Sequence, residues 1–270
     1  MSDRVVFLGT GTSFGVPMLG CGCAVCRSTD PRNRRLRCSA LLEHAGRRLL
    51  VDPSPDFRAQ ALREGIDALD AVVVTHAHAD HILGLDDLRP LSLSRDEALP
   101  VHCDRVTGDT LREMFPYVFS TERKRPGLPW LALRELRPGV RQEILPGVEL
   151  LPLRTEHGAM GSLALRFGDF AWITDLKGIA PTELAALAGL RWLALDMLRV
   201  EPPHPTHLSL EESLALRAAL GDPETWFIHM GHEVDHETVE RGLPPGCRLA
   251  VDGLRLPLPE GVFSFASPSS

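Results

Sequence analysis

The segment His76-Ala77-His78-Ala79-Asp80-His81 places three imidazoles and a carboxylate within six positions. Such side chains are the usual ligands of Zn²⁺ and related divalent ions, and they crowd this closely chiefly at metal or catalytic sites. In an extended segment side chains alternate, so His76 and His78 project to one side. Asp80 and His81 open an expected helix, Ile82 to Leu88, on a turn that aims them in another direction. One short segment can thereby supply ligands to two adjacent ions. Completing two sites takes a bridging carboxylate and at least two more imidazoles. The candidates are ligand-type residues that follow apolar runs: His157 in Arg154-Thr155-Glu156-His157-Gly158, Asp175 after Trp172-Ile173-Thr174, and His229 after Trp226-Phe227-Ile228.

A second group of metal-binding side chains stands near the start of the chain. Cys21, Cys23 and Cys26 offer three thiolates, one short of a tetrahedral set. Cys38, Cys103 and Cys247 are scattered and read as packing residues. A bunch of this kind in a cytosolic protein points to metal rather than to a disulfide framework. Asp52 and Asp196, each after a leucine- and valine-rich run, are candidates to orient ligating imidazoles or to cap turns. His44, His102, His204 and His236 carry no expected catalytic role.

The elements that must position these groups can be read from the apolar pattern. Ala71 to Thr75 is a buried, β-branched run, so the six-residue motif sits on the loop leaving a strand, where α/β proteins place their chemistry. Val5 to Leu8, Leu99 to Cys103, Phe170 to Thr174, Trp192 to Leu195 and Thr225 to Ile228 read as further strands, and Ser39–Glu43 with Arg47–Val51 as a hairpin. Helices are expected over Asp56–Glu64, Pro181–Leu187 and Glu237–Arg241, and from the capping box Ser209-Leu210-Glu211-Glu212 to about Leu220. Residues 104–130 start helical and then become a proline-, aromatic- and charge-rich excursion. No internal repeat is visible in the residue pattern. Two β-rich halves with helices after their strands suggest a four-layered αββα sandwich, in one domain over residues 1–263, with a frayed tail over 264–270.

Composition limits the function classes. The chain has 270 residues, 44% of them hydrophobic and 24% charged, which suits a globular protein with a full core. A formal net charge of −7 argues against extended nucleic acid as a partner. The clusters Arg32/Arg34/Arg35/Arg37 and Arg123/Lys124/Arg125 read as solvated loops or as small phosphate contacts. No apolar run approaches the ~20 residues of a membrane span, and the opening residues are too soon broken by glycine for a secretory signal. A cytoplasmic location and no membrane partner are expected.

The motif, with Gly9-Thr10-Gly11-Thr12-Ser13-Phe14-Gly15-Val16-Pro17 and Gly20-Cys21-Gly22-Cys23-Ala24-Val25-Cys26, resembles the metallo-β-lactamase superfamily and within it the PhnP-type phosphodiesterases. That family includes a phosphoribosyl cyclic-phosphate phosphodiesterase. The resemblance runs from Val5 to about Gly253; residues 104–140 are longer here, and Lys177 replaces a small residue. It implies an αββα metallo-β-lactamase sandwich with His76, His78 and His157 on one metal. Asp80, His81 and His229 would hold a second, and Asp175 would bridge both. Zn²⁺ and Mn²⁺ both suit the mixed nitrogen and oxygen ligands. It further implies His232 as the fourth ligand, with Cys21, Cys23 and Cys26, of a structural zinc. His207 would be a catalytic histidine outside the metal shells, with Asp80 the other catalytic residue. The implied activity is hydrolysis of a small cyclic or nucleotide-like phosphodiester by a metal-bridging hydroxide, and a homodimer is a family-level expectation. The alternatives are an RNA-processing nuclease of the tRNA 3′-end type, a thioester or lactone hydrolase, and a redox or cofactor-biosynthesis protein on the same fold.

Overall fold

A computed structural model describes residues 3–119 and 129–265. Its apolar runs become strands of two sheets. The first half of the chain gives β1 (Asp3–Gly9), β2 (Ser39–His44), β3 (Arg47–Val51), β4 (Ala71–Val73), β5 (Leu99–Cys103) and β6 (Leu131–Glu135). The second gives β7 (Gln142–Leu145), β8 (Val148–Thr155), β9 (Ser162–Phe167), β10 (Phe170–Ile173), β11 (Trp192–Asp196), β12 (Glu224–Ile228) and β13 (Cys247–Leu249); β14 (Arg255–Leu258) then returns to the first sheet. The strand orders are β14-β1-β2-β3-β4-β5-β6 and β13-β12-β11-β10-β9-β8-β7.

The period-2 alternation of side chains explains the layering. Val5, Phe7, Leu42, Val51 and Val73 of the first sheet meet Leu165, Phe170, Trp172 and Ile228 of the second in one inter-sheet core. Phe7 and Trp172 span it, with ring centroids 5.7 Å apart. The alternate residues of the first sheet, among them Val6, Leu41, Leu50 and Val72, face outward onto α2 (Phe57–Glu64), α3 (Ala79–Ile82) and α5 (Arg105–Met114) through Phe57, Ile82 and Leu111. On the other side Ala171, Ile173, Leu195 and Phe227 pack beneath Leu187, Leu208 and Leu220. The result is the four-layered αββα sandwich expected from the sequence.

The chain nevertheless contains a repeat that its residue pattern hides. In each sheet three strands pair antiparallel (β1-β2-β3 and β8-β9-β10) and three more follow in parallel (β4-β5-β6 and β11-β12-β13). Even the added edge strands correspond, β14 on β1 and β7 on β8, both antiparallel. A topology can be duplicated while its residues are not, because a strand asks only for alternation and β-branched bulk.

Two other readings change, and a third falls partly outside the described residues. The expected helix Ile82–Leu88 is broken: α3 ends at Ile82, a 3₁₀ turn covers Leu85–Leu88, and α4 (Arg89–Leu93) follows. Gly84 donates from its backbone to Pro53 O at 2.9 Å, and a side chain there would collide with Ser54 O, so the chain must bend. Pro90 then fits only the first turn of a new helix. The expectation of fraying from Ser264 changes for its first two residues. Ser264 Oγ donates to Gly147 O at 2.8 Å, and Phe265 N donates to a Glu149 carboxylate oxygen at 3.0 Å. Of the excursion over 104–130, residues 120–128 lie outside the described residues, as do Arg123, Lys124 and Arg125.

Candidate metal centre

The carboxyl ends of β3, β4, β10, β11 and β12 meet along one edge, and each carries a ligand-type side chain. Asp52 follows β3 at φ 54°, Asp175 follows β10 at φ 54°, and His229 follows β12 at φ 61°. Left-handed backbone is uncommon outside glycine and persists where surrounding contacts enforce it. Three such residues at corresponding strand ends mark the edge as built for side-chain placement.

Two groups of ligand atoms converge there. In the first, His76 Nε2 and His78 Nδ1 stand 3.0 Å apart, and His157 Nε2 is 3.1 Å from the same His78 nitrogen. Asp175 Oδ1 closes the group at 4.0 Å from His76 Nε2 and 3.7 Å from His157 Nε2. In the second, His81 Nε2 lies 3.3 Å from Asp80 Oδ2 and 3.2 Å from Asp175 Oδ2. His229 Nε2 lies 3.7 Å from Asp80 Oδ2 and 3.3 Å from Asp175 Oδ1. Ligands ~2.0–2.1 Å from a tetrahedral ion stand roughly 3.4 Å from one another, which is the spacing seen here. Asp175 belongs to both groups because a carboxylate has two oxygens to offer.

Hydrogen bonds fix which ring nitrogen faces inward. Thr75 Oγ donates to Asp52 Oδ2 at 2.8 Å and so accepts from His76 Nδ1 at 3.0 Å, leaving His76 Nε2 for the centre. His81 Nδ1 donates to Asp52 Oδ2 at 2.8 Å, and His157 Nδ1 donates to Thr206 O at 2.9 Å. The inward atoms His81 Nε2 and His229 Nε2 are buried with no hydrogen-bond partner among the described residues. Buried polar atoms left in this state are costly unless something else binds them. The donor set therefore fits a pair of divalent cations.

The electrostatics agree. Burial pushes His76 well below the ordinary histidine value and lowers His157, which favours the neutral imidazole that a cation requires. Burial would raise Asp175, but His229, His81 and His76 override it and hold the carboxyl well below its usual range. Asp80 behaves alike, with His81 and His229 outweighing burial. Conversely, Asp175, Asp80 and Asp196 raise His229 to about 9 against the effect of burial. Protons thus occupy, in the ion-free protein, places that suit cations.

His207 stands beside both groups. Its Nδ1 donates to Asp196 Oδ2 at 3.2 Å, its ring stacks on His229 at 4.8 Å, and its Nε2 is 3.9 Å from Asp175 Oδ1. A cavity of about 430 Å³ opens here, lined by Ser13, His78, Asp80, His157, Met160 and His207 among others.

The cysteine cluster also closes. His232 Nδ1 lies 3.4 Å from both Cys21 Sγ and Cys23 Sγ, and Cys26 completes a four-residue group. Cys23 caps α1 (Ala24–Arg27) and accepts from Cys26 N at 3.4 Å, while Cys26 Sγ accepts from Met18 N at 3.3 Å. The hydrogen bond with His232 lowers the Cys23 thiol to about 6, whereas burial raises Cys26 to about 11. The glycines of the opening motif serve this arrangement. A Cβ at Gly9 or Gly11 would strike the 35–37 backbone, so both permit the close crossing that carries the loop to Met230.

Every sequence-predicted ligand thus lies in one of the converging groups. Asp52 and Asp196 contact imidazoles and also accept from loop backbone, Asp52 from Thr75 N and Asp196 from Leu176 N and Leu208 N, so both expected roles are present. The Arg32–Arg37 cluster contacts its own protein: Arg35 is buried against Gly231 O, Arg37 pairs with Asp56, and Arg32 pairs with Asp30. Lys177 is bound to Glu212 and leans on His207 O, tying the Asp175 loop to α7 (Leu210–Ala219). Thr75, Thr206 O and Ser13 were not anticipated; only their places next to ligand or glycine-motif residues could have signalled them.

Residues 47–230 match the Beta-lactamase superfamily domain, over more than half of the chain. The chain belongs to the β-lactamase superfamily. Its architecture is the metallo-β-lactamase fold, and it is a metal-binding hydrolase of that fold. A crystal structure of a diphosphatase from the PhnP family is similar at TM-score 0.87 and 42% identity, covering 95% of this chain and 97% of that one. An octanoyltransferase from Porphyromonas gingivalis is 41% identical over 253 residues, 93% of this chain, but the chain spans only 51% of that protein. Anti-Pycsar protein Apyc1 from Paenibacillus harenae is 26% identical over 82% of this chain and 91% of its own length. No helix among the described residues is long and apolar enough to cross a membrane.

Proposed function

We propose that the protein is a dinuclear metal-dependent phosphodiesterase acting on a small cyclic or nucleotide-like phosphodiester, with a third, structural zinc. The observation that carries this reading is the sharing of Asp175 by two four-ligand groups at the floor of an open cavity beside His207. His76, His78, His157 and Asp175 would hold one cation, and Asp80, His81, His229 and Asp175 the other. Bound there, Zn²⁺ or Mn²⁺ supplies Lewis acidity at a phosphoryl oxygen and an activated water. The chain's own residues do the rest. The Asp52, Thr75 and Thr206 contacts keep the ring nitrogens aimed inward, and the strand-end backbone fixes their separation. His207, held by Asp196, presents Nε2 to the cavity, where it donates a proton to the departing alkoxide or steadies the phosphate. Cys21, Cys23, Cys26 and His232 would hold the structural zinc and brace the segment after His229. The 42% identity to a PhnP-family diphosphatase supports phosphorus as the electrophile. Thiolates available to zinc suit a reducing cytoplasm, and the acidic surface suits a small substrate rather than extended nucleic acid.

Purified protein is expected to carry about one tightly held zinc and up to two exchangeable metals per chain, and to hydrolyse bis(p-nitrophenyl) phosphate when Zn²⁺ or Mn²⁺ is supplied. Inactivity on a phosphodiester panel with both exchangeable sites filled overturns the reading. A second reading, acyl-thioester hydrolysis, is favoured by the similarity to a protein named for octanoyl transfer. His207→Ala separates the two. Loss of the general acid is expected to lower phosphodiester kcat by about 10²–10⁴-fold, whereas a thiolate leaving group needs no such proton and octanoyl-thioester cleavage would fall far less.

A further inference from the structure

Thr174 is fully buried just past the end of β10, where packing alone would be served equally by valine. Phe170 and Trp172 point into the inter-sheet core, and period-2 alternation carries Thr174 toward the same face. A hydroxyl left there without a partner costs free energy, so its contacts are informative. Its Oγ donates to Asp175 Oδ2 at 2.6 Å, the length of a charge-assisted bond to a carboxylate. A hydroxyl has one hydrogen, and this one is committed. The 3.7 Å contact between Thr174 Oγ and Cys38 Sγ therefore has the thiol as donor and the hydroxyl oxygen as acceptor. Cys38 immediately precedes β2 and lies in the inter-sheet core. Burial pushes its thiol well above the ordinary value, so it keeps its hydrogen.

We propose that Cys38 and Thr174 form a positioning relay for the Asp175 carboxylate. The thiol orients the hydroxyl, and the hydroxyl fixes the plane in which Asp175 offers its two oxygens to two cations. The inference rests on the two-cation reading of the centre and not on phosphorus as the electrophile. Imidazole nitrogens of His76, His81, His157, His207 and His229 all stand within 4.0 Å of this carboxylate. Four of these residues are proposed ligands, whose nitrogens cations would claim; the Thr174 hydroxyl keeps its hold whether or not cations are bound. The terminal torsion of an aspartate is broad, so an unrestrained carboxylate would lose freedom on binding metal. A restraint set in advance lessens that cost. The first half of the chain has the same arrangement. Thr75 Oγ donates to Asp52, which like Asp175 follows the last of three antiparallel strands at φ 54°.

The test is competition for Zn²⁺ between protein stripped of its exchangeable metals and a chromophoric chelator. Thr174→Val keeps the branched shape and removes the hydroxyl, and affinity at the exchangeable sites is expected to fall 10–100-fold. Thr174→Ser keeps the hydroxyl and should hold affinity to within about threefold of the unaltered protein. Cys38→Ala is expected to lower affinity by roughly three- to tenfold on its own. Beside Thr174→Val it should lower affinity no further, because the thiol acts through the hydroxyl. A merely structural role for Cys38 predicts otherwise: the small void would then weaken metal binding equally in both backgrounds, as it should weaken resistance to urea. Unchanged affinity in Thr174→Val, or an equal effect of Cys38→Ala in both backgrounds, overturns the relay and leaves the two-cation reading intact. Should Thr174→Val not fold, Thr174→Ala removes the hydroxyl and takes its place in both comparisons. Unaltered protein that takes up no exchangeable Zn²⁺ removes the two-cation reading and the relay with it.

Discussion

The carboxylate of Asp52 accepts three hydrogen bonds, from Thr75 N, Thr75 Oγ and His81 Nδ1, each at 2.8 Å. Two of the proposed ligands thereby depend on one residue, His81 directly and His76 through the Thr75 hydroxyl. Asn tolerates the left-handed backbone of this position but offers a single acceptor oxygen, so Asp52→Asn changes the contacts without changing the chain path. Affinity for the exchangeable metals is expected to fall 10–100-fold, measured by competition with a chromophoric chelator; unchanged affinity would show that Asp52 does not orient these imidazoles. A pH effect follows from His229. Nearby carboxylates raise it from 6.5 to about 9, so in ion-free protein its contribution to stability is complete below 6.5 and is lost as pH climbs through about 9. Cations need the neutral imidazole. The difference in Tm between metal-loaded and chelated protein should therefore widen from pH 6.5 to 9, and a constant or shrinking gap in scanning calorimetry would count against His229 as a ligand. At this scale the sequence was informative, since ligand types after apolar runs are visible in one dimension. The threonine contacts were not, because nothing in a threonine's type says which side chain it will meet.

Among the elements, the loop between β1 and β2 has the most consequence for its length. It carries three cysteines across to the segment after β12, where His232 meets them, three residues from His229. Backbone pairing already joins the two, Met230 N donating to Thr10 O at 2.9 Å. Zinc held by the four residues would add a closed cross-link whose loss lets His229 relax from φ 61°, a conformation costing on the order of 1–3 kcal/mol when unsupported. Cys23→Ser is expected to remove about one metal per chain and to lower phosphodiester turnover at least tenfold even with the exchangeable sites saturated. Metal analysis beside kinetics checks this, and a full complement of metal in the variant would refute the zinc assignment. Element types were largely legible: Leu99–Cys103 and the capped α7 fall where the pattern put them. The break after Ile82 was not, because it arises from the contact of Gly84 with the Pro53–Ser54 backbone, thirty residues earlier in the chain.

For the molecule as a whole, the superfamily match over 47–230 omits both flanks, yet β1, β2 and β14 complete the first sheet and the cysteine site lies wholly outside the match. The twofold repeat of topology explains why the chemistry sits along one edge: each half delivers parallel strands whose carboxyl ends face the other's. It was invisible in the sequence because only the strand order is repeated. The opposite edge must be closed by something else, and Phe263 closes it. The residue is fully buried, its ring 6.2 Å from Phe167, 6.3 Å from Phe170 and 6.2 Å from His44, and Glu149 N donates to its carbonyl at 3.1 Å. Phe170 begins β10 and Asp175 follows its end, so the plug and the ligands stand at opposite ends of the same strand. Phe263→Ala empties a site ringed by aromatic side chains that cannot easily collapse, and should cost about 3–5 kcal/mol of unfolding free energy. Because the defect lies a strand's length from the ligands, metal content and affinity of the folded fraction should match those of the unaltered protein. Urea unfolding beside metal titration resolves the two quantities. A variant that loses metal affinity along with stability would mean that the two edges are not independent, and that the inter-sheet core transmits strain along β10 to Asp175.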